Sequence, residues 1–156
     1  MTDTPPARKG NGRIRIRIGL GVTILGFLVY LLGAEPGLFR LDRSPVVGFV
    51  QIATFLVGLG IICLGGYICL ASLWNGSPKS IASDIGLRLV STGYVISVAC
   101  GMADVFGFGS NSYPKIPIFG IFQQIGFMAG EVVIGIGLLL LIPYKKPKPN
   151  VGDLPP

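Results

Sequence analysis

The residue in this chain best placed for chemistry is Glu131, the only ionisable side chain between residues 116 and 142. A carboxylate embedded in hydrocarbon costs about 2.5 kcal/mol or more on insertion scales, so it is expected to be neutral, paired, or turned to a protein-lined or wet interior. A protonatable group at that depth could take up a proton or a cation from one face and release it at the other. Gln124 lies seven residues before Glu131 and shares its helical face, whereas Gln123 sits about 100° away. With Asp104 at the mouth, Gln123 and Gln124 along the outer half and Glu131 at the centre, these four form a candidate ion or proton site. The plainer expectation is a neutral glutamic acid hydrogen-bonded to a polar group on the preceding helix, such as Thr92 or Ser97.

Composition argues against most other chemistry. The chain has no histidine, and with it goes the commonest general base and the commonest ligand of a catalytic metal. Cys63, Cys69 and Cys100 lie inside apolar runs without a Cys-x-x-Cys pair, where thiols behave as small hydrophobes. Gly19-Leu20-Gly21 and Gly58-Leu59-Gly60 lack the third glycine of a dinucleotide loop. No nucleophile with its base and no group of carboxylates at one depth can be assembled. The expectation is a protein that is not an enzyme and uses no cofactor or metal.

The elements that must position Glu131 are membrane helices. At 1.5 Å per helical residue, the stretch from 116 to 142 exceeds the ~30 Å hydrocarbon core of a bilayer. Of 156 residues, 51% are hydrophobic and only 13% charged, and mean hydropathy is +0.70. A soluble domain would carry about 25% charge. Three further apolar segments, 18–34, 46–74 and 85–103, complete an expected all-α polytopic membrane protein, a four-transmembrane-helix bundle over 18–144. The second segment is long, with Gly65-Gly66 a place for a bend or a tight crossing, and Tyr67 and Trp74 suit an interfacial belt. Ser83 or Asp84 can cap the third helix, and Asp84 and Arg88, four apart, can pair on its surface.

The flanks are polar. Residues 1–17 read as a disordered tail ending in a collar of Arg13, Arg15 and Arg17, whose stems can snorkel from a helix end toward anionic headgroups. Residues 145–156 form a second basic, proline-rich tail with Lys145, Lys146 and Lys148. Ten basic residues fall on the side of the two tails, and Arg40, Arg43 and Lys115 on the other. The positive-inside rule therefore predicts both termini in the cytoplasm and a multi-pass protein of the cell membrane. The net charge of +6 has lipid headgroups, not nucleic acid, as its expected partner.

Glycine makes up 24 of the 156 residues, against an average near 7%. Gly19, Gly26 and Gly33 recur every seven residues, Gly93, Ser97 and Gly101 every four, and Gly126 and Gly130 form a Gly-x-x-x-Gly pair just before Glu131. Small residues on one face let helix backbones approach closely in lipid. These stripes predict an accessory or scaffold protein that packs against other membrane proteins or a second copy of itself, with a conduit centred on Glu131 as the alternative.

Overall fold

Each apolar stretch forms one unbroken helix: α1 (Gly12–Ala34), α2 (Phe49–Leu73), α3 (Ile81–Gly101) and α4 (Ile121–Leu140). The computed structural model describes residues 12–35, 37, 48–74, 79–108 and 120–144. All four helices are long and apolar enough to cross a membrane, which marks a multi-pass integral membrane protein. Lys145, Lys146, Lys148, Lys115, Arg40, Arg43 and residues 116–119 of the expected fourth span lie outside the described residues.

The helix ends depart from the sequence pattern in two informative places. Helix α1 begins at Gly12, so the Arg13–Ile18 alternation is helical from the start, with Arg13, Arg15 and Arg17 all exposed. The arginine stems continue the apolar helix toward its charged end, as snorkelling requires. Helix α3 is capped by Ser80, whose side chain accepts a hydrogen bond from the Ser83 amide at 3.2 Å. Ser83 is therefore the third helical residue, buried, and Asp84 lies in the first turn, where a carboxylate suits the helix dipole. Asp84 and Arg88 do pair, at 3.4 Å, with both side chains largely in solvent.

Packing is organised as two antiparallel hairpins, and glycine decides how closely each one closes. In the first, Gly19 faces Cys69, Gly26 faces Ile62 and Gly33 faces Phe55, while Gly58 faces Tyr30 and Gly65 faces Thr23. The register is constant along nearly the whole of α1. A Cβ on Gly26 would lie 2.7 Å from the Ile62 amide nitrogen, so backbone abuts backbone. The second hairpin repeats the device: Gly86 meets the Gly137 carbonyl and Gly93 the Gly130 carbonyl, each 2.6 Å from where a Cβ would stand. Spacings of seven on α1, α2, α3 and α4 are the period that keeps one face in contact along helices winding left-handed. The Gly65-Gly66 pair marks a crossing, not a break, because α2 is continuous through it.

Between the hairpins, close backbone approach is sparse and runs through α2. No Cα of α1 comes within 8 Å of one in α4 or α3. Helix α2 supplies Ile52, Phe55, Leu56, Leu59 and Cys63 to a small core that Val90 of α3 and Phe127 and Ile134 of α4 complete. Phe55 stands at its centre, edge-on to both Tyr30 (6.3 Å between ring centres) and Phe127 (5.0 Å). At one end, the Trp74 indole donates to the Leu141 carbonyl at 3.0 Å, satisfying an end-of-helix acceptor that α4 itself leaves open. Most other large apolar side chains face outward, as a protein solvated by acyl chains requires.

Candidate functional site

Glu131 has a partner, and it is not on α3. The Tyr30 hydroxyl of α1 donates to the Glu131 carboxylate at 2.7 Å, joining residues 101 positions apart in the chain. Three elements bring the pair together. The Gly58–Tyr30 and Gly33–Phe55 contacts press α1 onto α2 at that level; Phe55 packs on Phe127, one turn before Glu131; and Gly130 seats α4 against Ser97 of α3. The carboxyl thus projects from α4 past α2 toward α1 and is half-buried there.

Neither expected α3 partner reaches it. Ser97 is fully buried, and its hydroxyl donates to the Phe127 carbonyl at 3.4 Å. Thr92 is exposed on another face of α3. The signal that pairs Tyr30 with Glu131 is a long-range one: a phenol is a natural partner for a buried acceptor, but nothing in local spacing says which of the chain's tyrosines supplies it.

The remaining members of the expected route are placed separately. Gln123 is buried at the start of α4, where its side-chain oxygen accepts the Gly120 amide at 2.7 Å and so closes the helix N-terminus. Gln124 is exposed on the next face, in contrast to half-buried Glu131 seven residues on. Asp104 is buried in the turn after α3, at the same end of the α3–α4 hairpin as Gln123. One Asp104 carboxylate oxygen and the Gln123 amide nitrogen are both buried without a hydrogen bond. Eight residues of helix, about 12 Å, separate that end from Glu131.

Five other hydroxyls in the spans bond to backbone carbonyls, Thr23 to Gly19, Thr54 to Val50, Ser72 to Ile68, Ser91 to Leu87 and Tyr94 to Leu56, whereas the Ser83 hydroxyl is buried without a hydrogen bond. Among the described residues no group of three histidine, cysteine or acidic side chains is placed to hold a metal.

The glycine stripes are occupied within the chain. Gly19, Gly26, Gly33, Gly93 and Gly130 sit in the two seams, Ser97 lies against Gly130, Gly126 meets the Cys100 sulfur, and Gly101 receives Leu56 and Ile52 of α2. Other proteins could use these faces only by opening a hairpin. By contrast, Gly21 on α1 and Gly135 on α4 have open space where a side chain would project. No protein-family model, curated protein or solved structure matches the chain.

Proposed function

We propose that this chain is a non-enzymatic accessory or scaffold protein of the cell membrane that associates laterally with other membrane proteins or with a second copy of itself. The observation that carries the reading is the burial of α1. Its buried residues are Gly19, Gly26 and Gly33, all on the α2 side, so every large side chain of a 23-residue helix is at least partly uncovered. A helix held by so narrow a strip has most of its circumference free for a neighbour, and Gly21 supplies a small-residue notch on that free side.

Substituting leucine at Gly21 should leave folding intact, because nothing lies within 4 Å of the site. It should reduce recovery of a co-purified membrane protein, or of an untagged second copy, in mild-detergent pull-downs from native membranes. A monodisperse monomer with no partner before and after the change overturns the proposal.

The topology we propose has both ends in the cytoplasm, supported by the excess of arginine and lysine flanking them. A cysteine placed at Thr4 should react with a membrane-impermeant maleimide only after cells are permeabilised; labelling of intact cells reverses the orientation.

A second reading, a small proton or cation conduit centred on Glu131, is favoured by the Tyr30–Glu131 bond, since a phenol and a carboxyl in contact can exchange a proton. Against it, Gln123, expected along the route, instead caps its own helix about 12 Å of helical rise from Glu131.

A further inference from the structure

The hairpins part between α2 and α3 and leave a groove of about 730 Å³, within the ~300–1,000 Å³ usual for small-molecule sites. Val57, Ile61, Leu64 and Tyr67 of α2 form one wall, and Leu87 and Tyr94 of α3 belong to the other. Its few polar atoms are already engaged, since the Ser91 and Tyr94 hydroxyls bond to helix carbonyls. The groove ends where Leu56 and Ile52 close over Gly101.

Two features say what fits it. The first is depth: from Tyr67 to Val57 the groove follows ten residues of α2, about 15 Å, or half of a ~30 Å hydrocarbon core. It opens at Tyr67, six residues or about 9 Å from the Leu73 end of α2, and reaches past the middle of that helix to Val57, about 24 Å from the same end. The second is charge at the open end. Lys79 holds its ammonium 5.3 Å above the Tyr67 ring and donates to the Tyr67 hydroxyl at 3.4 Å, and no carboxylate pairs with it among the described residues. Beside it lies a smaller cavity of about 390 Å³ that also holds Asp84 and Arg88. Their ion pair is long and solvent-exposed, so it holds the guanidinium weakly.

We infer that the α2–α3 groove is a binding site for one anionic phospholipid, its acyl chain between Tyr67 and Val57 and its phosphate on Lys79, with Arg88 within reach. A partner helix would need a channel wide enough for a cylinder of about 10 Å and would not call for a cation at one end.

The test titrates the purified full-length protein with phosphatidylglycerol or phosphatidylcholine and counts retained lipid by native mass spectrometry. One phosphatidylglycerol should be held in preference to phosphatidylcholine, and Lys79→Gln should cut that preference about fivefold, the share of one lysine at an anionic surface. Ser91→Phe, which fills the groove from an exposed position, should abolish retention; Leu64→Phe does the same from the facing helix, and circular dichroism identifies whichever variant stays folded. Equal retention of both lipids, unchanged by Lys79→Gln and by the filled groove, reduces the site to ordinary annular lipid and overturns the inference. So does a copurifying polypeptide that the filled groove releases while lipid binding stays as it was.

Discussion

Replacing Gly93 by alanine is expected to destabilise the α3–α4 hairpin by about 1–3 kcal/mol, the range for forcing atoms into a packed interior, and by leucine to separate the helices. The new Cβ would stand 2.6 Å from the Gly130 carbonyl oxygen and 2.9 Å from the Ile134 amide nitrogen. Both are backbone atoms, which no rotamer change can clear. Relief requires α4 to shift outward, and because Gly86 and Gly130 make the same kind of contact, the shift would undo the seam along its length. Gly135→Ala is the matched control on α4: nothing lies within 4 Å, and alanine gains about 0.5–1 kcal/mol of helix propensity over glycine. Unfolding in mixed micelles, or loss of the monodisperse peak on heating, should move in opposite directions for the two variants. Equal behaviour of Gly93→Ala and Gly135→Ala would remove the close seam from this account.

Removing the Tyr30 hydroxyl is expected to cost more than removing both partners of its hydrogen bond. Tyr30→Phe leaves the Glu131 carboxyl half-buried without the donor at 2.7 Å, a loss of about 1–3 kcal/mol for an orphaned polar group. Glu131→Leu strands the phenol instead. The double variant Tyr30→Phe with Glu131→Leu replaces the pair with apolar groups of similar size and should approach the parent in stability. A coupling energy near zero in that double-mutant cycle would mean that the bond does not hold α1 to α4. Glu131→Gln serves a different purpose, because it keeps an acceptor for Tyr30 while removing the titrating group. If the chain conducts protons or cations through this site, flux in liposomes should disappear with that change while the fold survives. Flux that persists disposes of the conduit and leaves the pair as a fastening between hairpins.

The pair also bears on how the two hairpins stay together. Their backbones touch little, and α1 reaches α4 only through side chains. Trp74 to Leu141 at one end and Tyr30 to Glu131 farther along the spans are two of the polar links joining them, Tyr94 to Leu56 being another. Loosening either of the first two should widen the α2–α3 groove before it unfolds either hairpin, since the glycine seams lie inside the hairpins and not between them.

By itself the sequence determined what depends on neighbours in the chain. Apolar runs of membrane length became four helices, Asp84 and Arg88 met because four residues is one turn, and the seven-residue recurrence of Gly19, Gly26 and Gly33 set one face of α1 apart. These are local or periodic facts, and hydropathy and helical geometry are enough to read them. Only the tertiary structure decided which surfaces meet. That Gly58 and Gly65 answer α1, that Gly86 and Gly137 complete the α3–α4 seam, that Gln123 turns back to cap its own helix and that Tyr30 supplies the hydrogen bond to Glu131 all depend on which helix packs beside which. In lipid every apolar face is equally content to be solvated, so hydrophobicity cannot choose the pairing. The choice falls to close backbone contact and a few hydrogen bonds between distant residues, whose positions only the folded chain reveals.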